Sequence, residues 1–198
     1  MSATVKVLQA NKPERKLTEI NAFTLATTDA PGVIGPVYSI KKPTQSGSFS
    51  YSYWVSLSLE ISGDFTILTN IRVYTVPPEN FNFGTDGGLL LATRDDSTNG
   101  HGIPPDYYDY ARGIEKYSGY YIKDPTFGHS FYKTQQASPI NLLEINTPEQ
   151  AILVDNTIYE YSPEPQETKH IVLQARVAYD APTGPLSGLY FYFIWDEI

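Results

Sequence analysis

Residues 51–61 (YSYWVSLSLEI) alternate between two kinds of side chain, and this pattern constrains the fold more than any other part of the chain. The odd positions are apolar or aromatic, and the even positions are mostly small or polar. Successive side chains of a β-strand point to opposite faces, so we expect a strand with one face on a core and the other on water or a second layer. After a turn at Gly63 and Asp64, residues 65–74 (FTILTNIRVY) predict a second strand. The two are expected to form an antiparallel pair with a short connection.

The same alternation recurs near the end of the chain. In residues 170–179 it predicts a strand whose odd-numbered side chains, from Ile171 to Tyr179, face inward. Residues 189–195 (LYFYFIW) are apolar on both faces, so we expect this strand to be covered on both faces. Strands favour aromatic residues and turns favour Gly and Pro. The chain has 16 Tyr, 9 Phe, 14 Gly and 15 Pro. We predict an all-β fold, an antiparallel β-sandwich of the jelly-roll or immunoglobulin-like kind, with a single closed barrel as the alternative.

With 198 residues, the chain is long enough for one domain with a sizeable core. Residues 1–16 are polar and predict an N-terminal arm, either frayed or ordered on a neighbouring subunit. Residues 17–198 are assigned to a single β-sandwich domain. Its regular pattern is interrupted by a long loop-rich insertion at about 77–138, where Pro and Gly are frequent.

Shorter segments leave alternatives open. Residues 17–27 favour a strand over a short helix, and the apolar run 89–93 is too brief to separate the two. Pro148 followed by Glu149 predicts one helical turn, whereas 152–161 fits a strand equally well.

The insertion contains the densest group of aromatic residues, in 107–132. A segment this aromatic is not expected to be disordered, and long irregular loops are commonly functional. The residues have three interpretations: packing beneath the loop, a protein–protein interface, or a platform that stacks on sugar rings. The candidate contact residues for a protein partner or a glycan are Tyr107, Tyr108, Tyr110, Tyr117, Tyr120 and Tyr121.

No motif for catalysis stands out. His101, His129 and His170 show no H-x-x-x-H or H-x-H spacing, and His170 is predicted on the outer face of its strand, exposed at the surface. The chain has no G-x-S-x-G, no P-loop and no G-x-G-x-x-G. We therefore expect a protein that is not an enzyme and has no cofactor; a glycan-cleaving enzyme is the weakest hypothesis, because carboxylate pairs are close in space and not in sequence.

One loop contains hard oxygen ligands of the kind that bind Ca²⁺. Asp95, Asp96 and Asn99 lie in RDDSTNG, but their spacing differs from that of an EF-hand loop. The same residue types are ordinary in turns, so a solvated turn is the favoured interpretation and no metal site is assigned.

The charge and the termini limit the partners. A net charge of -8 disfavours nucleic acids and anionic membranes, whose recognition needs Lys and Arg. The chain lacks Cys, and we see neither a signal peptide at its start nor a long apolar span. This combination predicts synthesis in the cytoplasm; it is unusual for a cell-surface protein and less unusual for a virion component.

Two stretches carry a resemblance to a protein class. SGDFTILTNIRVYT (62–75) resembles a strand pair of β-sandwich virion structural proteins of tailed phages, with a polar N-[IL]-[RK] step before an aromatic strand. ARVAYDAPTGPLSGLYFYFIW (175–195) is similar to the final hairpin of immunoglobulin-like sandwich domains. The resemblance implies a capsid-associated, decoration or tail component of a virus particle, and it assigns no site residue.

Two functions are therefore expected. The first is a non-enzymatic structural protein of a virus particle that self-associates and contacts other virion proteins. The alternative is a carbohydrate-binding or receptor-binding module that uses the tyrosines of the insertion.

Overall fold

The computed structural model describes residues 2–11, 15–25, 40–115, 118–184, 186 and 188–198. In these residues, antiparallel strands form two sheets that pack against each other, and the helical content is limited to short 3-10 turns. The predicted all-β sandwich is confirmed. Among the described residues, no helix has the length and apolar character needed to span a membrane.

The larger sheet, here called sheet A, contains ten strands of the described chain. They are β1 (Ala3–Asn11), β2 (Lys16–Glu19), β3 (Phe49–Tyr51), β4 (Val55–Gly63), β6 (Gly88–Leu91), β7 (Gly113–Glu115), β8 (Ser118–Gly119), β9 (Ile140–Asn141), β12 (Gln166–Glu167) and β13 (Ile171–Ala178). The order is β2-β1-β4-β13-β3-β8-β7, with β12 beside β4 and with β6 between β13 and β9.

The smaller sheet, sheet B, contains four strands of the described chain. They are β5 (Ile67–Val76), β10 (Ile152–Asp155), β11 (Tyr159–Glu160) and β14 (Tyr190–Glu197). β5 is central, because β14 lies along one side of it and β10 and β11 lie along the other.

The expected pairing of 51–61 with 65–74 is wrong. β4 belongs to sheet A, where β1, β12 and β13 pair with it, whereas β5 belongs to sheet B. Gly63, with φ +93°, ends β4, and Phe65, buried in the core, lies where the chain crosses from one sheet to the other. The apolar sides of β4 and β5 therefore contribute to one core from opposite sheets.

The alternation within β4 is confirmed. Val55, Leu57, Leu59 and Ile61 are buried in the core between the sheets. The even positions Ser56 and Ser58 are buried as well, so the opposite face of sheet A meets a second layer there and not water.

β5 departs from strict alternation at Asn70, whose φ of +53° is in the left-handed region. Asn tolerates this conformation better than most residues. Because one extra residue is inserted there, the inward-facing side chains are at even positions before it (Leu68) and at odd positions after it (Ile71 and Val73). The register of β14 shifts at the same place, between Ile194 and Asp196.

The predicted N-terminal arm is wrong for 3–11. β1 pairs with β4 from Ala3 to Gln9, with Val5 opposite Ile61 and Val7 opposite Leu59. Valines at alternating positions suit a strand, and between them Lys6 contacts Glu19 at 3.2 Å and Glu60 at 3.7 Å. The segment is thus part of sheet A and not an appendage.

The open alternatives resolve as strands with one short helical turn. Within 17–27, β2 ends at Glu19, and 20–25 form no strand. The run 89–93 contributes β6, which is buried throughout. A 3-10 turn at Pro148–Gln150 is followed directly by β10, so both interpretations of this region apply in succession.

The last two strands contain two corrections. Ile171, Leu173, Ala175 and Val177 face the inter-sheet core as predicted, but Tyr179 is exposed. β14 was expected to be covered on both faces, yet its outer face is open. Tyr190 and Tyr192 are 68% and 42% exposed.

Candidate interaction surface

The predicted insertion contributes strands β6, β7 and β8 to sheet A, and other parts of it pack on the face of sheet A that points away from sheet B. Its contacts form a second hydrophobic core, separate from the one between the sheets. The buried members of this second core are Trp54, Ala92, Ile103, Ala111, Ile122, Tyr132 and Val172. Trp54 and Val172 belong to the sheet A side, and the other five belong to the insertion. The irregular segment is therefore folded onto the sheet, which explains its aromatic content.

Gln174 fastens the insertion to sheet A. It is one of the outward-facing residues of β13 and is fully buried. Its amide oxygen accepts a hydrogen bond from Ile122 N–H at 2.9 Å, and its amide nitrogen donates to the carbonyls of Ser52 and Tyr120 at 2.8 and 2.7 Å. One side chain thus satisfies three backbone groups, each of which is costly to leave unpaired when buried.

Asp109 is a second fixed point inside the insertion. Its carbonyl accepts from the indole N–H of Trp54 at 3.0 Å, and its carboxylate accepts from Ser130 N–H at 2.9 Å and from Arg112 at 3.1 Å. The indole ring of Trp54 also lies 5.8 Å from the imidazole of His129. These contacts make the underside of the insertion rigid.

Several of the candidate tyrosines are exposed above this support. Tyr107 is 49% exposed and its ring lies 4.8 Å from that of Phe131, which packs on the second core. Tyr110 is also exposed, and the centre of its ring lies 5.3 Å from the guanidinium of Arg112. Tyr120 is partly buried and stacks at 4.4 Å on Phe127, which is 44% exposed. We call these four groups, Tyr107, Tyr110, Tyr120 and Phe127, the insertion surface.

The other three candidates differ in position. Tyr121 is partly buried, lies 4.8 Å from Tyr51 and packs against the second core, and burial raises its pKa. Tyr108 is partly buried. Tyr117 lies outside the described residues. Sequence reasoning did not single out Phe127 as a contact residue, although it lies within the aromatic segment.

The side chains of the calcium candidates all accept hydrogen bonds, one within a turn and two from distant segments. The Asp95 carboxylate accepts from Ala137 N–H at 2.6 Å, and Asp96 accepts from Thr98 N–H at 3.1 Å. The Asn99 side-chain oxygen accepts from Asn156 at 3.2 Å. Among the described residues, no group of three or more His, Cys, Asp or Glu side chains is arranged to hold a metal ion.

The prediction of His170 as a surface residue is wrong. Its side chain is 1% exposed, because its backbone pairs with Ile103 of the insertion and the insertion covers that end of β13. Its Nδ1 lies 2.9 Å from the hydroxyl of Ser56, and its Nε2 lies 2.6 Å from Glu167 Oε1. The alternation identified the correct face, but it did not reveal that a second layer covers that face.

Glu167 is the centre of this polar cluster. Arg15 contacts its carboxylate at 2.6 Å, and Ser58 donates to it at 3.1 Å. Burial alone would raise the pKa of Glu167, but the hydrogen bonds from His170 and Arg15 outweigh burial and lower the pKa to about 2. The ionised carboxylate only accepts, so His170 Nε2 donates to it.

The order Ser56–His170–Glu167 has the connectivity of a nucleophilic triad, but its setting is structural. Ser56 and His170 are both buried, and the two surface grooves found next to Tyr161 are not lined by any of the three residues. A nucleophile must be reachable by substrate. The cluster instead satisfies polar groups between sheet A and the segments that cover it.

Asp155 forms a comparable cluster at the end of β10. It is fully buried and accepts from Thr157, from the Tyr159 hydroxyl at 2.7 Å and from Lys169, whose ammonium lies 3.0 Å away. Burial disfavours the charged carboxylate, but these hydrogen bonds lower the pKa of Asp155 overall. The cluster ties sheet B to the segment that leads into β13.

Of the remaining histidines, His129 is buried and His101 is partly buried. His129 is 1% exposed, and burial lowers its pKa to about 4, with Asp109 opposing this shift and Arg112 adding to it. Burial lowers the pKa of His101 as well. Both rings are therefore neutral at pH 7, and the His129 ring packs against Trp54 and Tyr132 beneath the insertion surface.

No family model, no curated protein and no solved structure matches this chain. The resemblance to virion structural proteins of tailed phages therefore stays a prediction.

Proposed function

We propose that the protein is a non-enzymatic structural protein that acts through protein–protein contacts of its insertion surface. The observation that carries the proposal is the contrast between the exposed aromatic rings of this surface and the rigid second core beneath them. Aromatic side chains supply large contact areas at a low cost in conformational entropy, and they are enriched at interfaces.

The support for these rings is a reason to prefer a protein contact over chance exposure. Tyr107 rests on Phe131, and Phe127 rests on Tyr120, so each exposed ring is already held in place by a neighbour. Preorganised side chains lose little freedom on binding, which favours association. The hydrogen bonds of Gln174 and Asp109 fix the backbone that carries them.

The proposed setting is a virus particle, in which the chain is a capsid-associated, decoration or tail component. The sequence resemblance and the absence of Cys support this setting. Mass spectrometry of gradient-purified particles from a culture of the source tests it directly. We expect peptides of this chain at an abundance comparable with other particle proteins, and their absence from purified particles would contradict the setting.

The contact surface is tested separately with a double variant, Tyr107→Ser with Phe127→Ser. We expect the purified variant to lose binding to particles in a co-sedimentation assay while its melting temperature stays close to that of the wild type. Tyr161→Ser is the matched control, because Tyr161 is 59% exposed and lies outside the insertion. Equal binding by the double variant and the wild type would overturn the assignment of the surface.

The glycan-binding alternative predicts a different result. A ligand that binds only the folded state raises its melting temperature by mass action. A panel of sugars that raises the melting temperature of the wild type, and not of the double variant, would replace the protein–protein proposal with a carbohydrate-binding one.

A further inference from the structure

We propose that β14 is a self-association edge, at which two copies of this chain pair their β14 strands antiparallel, centred on Tyr192. The inference goes beyond the proposed function, because it rests on sheet B and not on the insertion surface.

β14 lies at one side of sheet B. Along its whole length it pairs with β5, from Tyr190 opposite Val76 to Glu197 opposite Leu68. On its other side, no strand from the described residues pairs with it. A strand in this position presents a row of backbone groups that can pair with another strand.

The hydrogen bonds of β5 show which groups these are. Thr75 N–H donates to Ile145 on the side away from β14, so Thr75 and its partner Phe191 form a pair without mutual hydrogen bonds. In such a pair the backbone N–H and C=O of both residues point outward. By alternation, the N–H and C=O groups of Phe191 and Phe193 point to the open side of the sheet.

The outer face of the same strand is aromatic and exposed. Tyr190 and Tyr192 both face outward, and the ring of Tyr192 stacks on that of Tyr74 at 4.9 Å, with 12° between the ring planes. This exposed aromatic face extends to the open side of β14. A strand added there would extend both the sheet and its aromatic surface.

β14 also lacks the usual protection of an edge. Natural edge strands commonly carry Lys, Pro or an inward charge that prevents pairing. β14 reads YFYFIWDE and has none of these over its first six positions. Asp196 follows, but it is held by Arg72 at 2.5 Å and by Asn70 at 2.7 Å on β5.

A second β14 fits this edge because the strand is self-complementary about Tyr192. Antiparallel pairing centred there places Phe191 opposite Phe193 of the other copy, so the residues with outward backbone groups meet and form about two hydrogen bonds per pair. The two copies of Tyr192 then face each other as a closely spaced pair. With Tyr74 on each side, they make one row of tyrosines across the joined sheet.

Charge decides the direction of the pairing. Parallel strands would place the acidic ends, Asp196 and Glu197, beside those of the second copy. Antiparallel strands place them at opposite ends of the pair. The net charge of -8 still makes the two copies repel at long range, so the dimer is expected to tighten as salt screens the repulsion. A basic partner peptide would show the opposite dependence.

The experiment is sedimentation of the purified full chain over a concentration series. We expect the mass to rise from 22.1 kDa towards twice that value. The midpoint should move to lower protein concentration between about 0.1 M and about 1 M salt, over which the screening length falls from about 10 Å to about 3 Å. A wild type that stays monomeric throughout would overturn the proposal.

The decisive variants change Tyr192 alone. Tyr192→Lys and Tyr192→Glu each place like charges opposite one another, which should weaken dimerisation by roughly tenfold or more. An equimolar mixture of the two variants should recover dimers, because the introduced charges are then opposite in sign. Tyr161→Lys is the matched control, an exposed tyrosine outside β14, and should dimerise like the wild type.

Three results would overturn the proposed register. These are dimers that survive both variants at Tyr192, variants that fail to recover on mixing, and dimers lost in the Tyr107→Ser, Phe127→Ser variant. Circular dichroism melts of each variant show whether it is folded. Since the insertion variants test the proposed function and the Tyr192 variants test this inference, the failure of one is distinguishable from the failure of the other.

Discussion

The inner face of sheet A and the part of its outer face beneath the insertion are both buried, but they are packed by different means. On the inner face, aliphatic side chains of β4 and β13 meet those of sheet B, with few polar groups between them. On the outer face, Trp54 and Val172 meet the insertion, and the fit depends on the specific hydrogen bonds that Gln174 accepts and donates. A sheet can thus be covered by a second sheet through periodicity alone, whereas covering it with irregular chain requires a partner for each buried polar group.

The largest expected effect is on the inner face. Leu57→Ala removes a side chain that is 1% exposed, and it should lower the free energy of unfolding by about 2–5 kcal/mol. Urea denaturation measures the change. The control is Ile158→Ala, at a position that is 64% exposed, with a change below about 0.5 kcal/mol. Similar losses for both variants would show that Leu57 is not part of a packed core.

The second prediction concerns the loss of stability as the pH falls. His129 has a pKa of about 4 in the folded protein against 6.5 for the ordinary group, so the unfolded chain binds its proton first as the pH falls. Stability should therefore decline between pH 6.5 and 4, by about 3 kcal/mol from this residue. His129→Asn keeps an acceptor for Phe131 N–H but does not titrate, and its stability should vary less over this range. Equal pH slopes for the two proteins would contradict the assignment.

Glu167 is expected to affect the stability of the protein in a separate, more acidic pH range. Its folded pKa of about 2 is below the ordinary 4.5, so its contribution is complete above pH 4.5 and is lost as the pH falls from 4.5 towards 2. The variant Glu167→Gln should flatten the dependence of the free energy of unfolding on pH between 4.5 and 2. Equal slopes for the variant and the wild type in this range would contradict the assignment of this contribution to Glu167.

A smaller and more local effect is expected for Gln174→Leu. The substitution leaves the N–H of Ile122 and two carbonyls without partners, and it should cost about 2 kcal/mol. Hydrogen exchange should accelerate in the insertion near Ile122, with β4 remaining protected. Gln166→Leu is the control, because Gln166 donates a single exposed hydrogen bond to Glu160. Uniform loss of protection in both regions would mean that the two faces unfold together.

The smallest effect on stability is expected at the insertion surface. Tyr107→Ser should change the free energy of unfolding by less than about 0.5 kcal/mol, because the ring is exposed and packs mainly on Phe131. A thermal melt measures it. A loss above about 2 kcal/mol would show that Tyr107 supports the fold and is not free to serve a partner.

The alternation in β4 and β13 determined the fold class and the residues of the inter-sheet core. Those predictions succeed because period-2 patterning depends only on which side chains avoid water, a local property of the sequence. Pairing is not local. The turn at Gly63 looked like a hairpin, yet β4 pairs with β1, β12 and β13 and leaves β5 to sheet B. Nothing in the local pattern says which strand lies beside which.

Tertiary structure also determined which polar side chains are buried and which partners they have. The sequence places Ser56, Ser58 and His170 on one face, but only tertiary contacts bury them. Ile103 of the insertion pairs with His170, and the pairing of β12 with β4 and of β2 with β1 brings Glu167 and Arg15 to the cluster. Conversely, the aromatic strand β14 has the composition of a covered strand, and only its position at the side of β5 leaves Tyr190 and Tyr192 exposed. The sequence by itself determined which residues suit strands and cores. Which faces are covered depends on contacts between segments far apart in the chain, and no local pattern encodes these contacts.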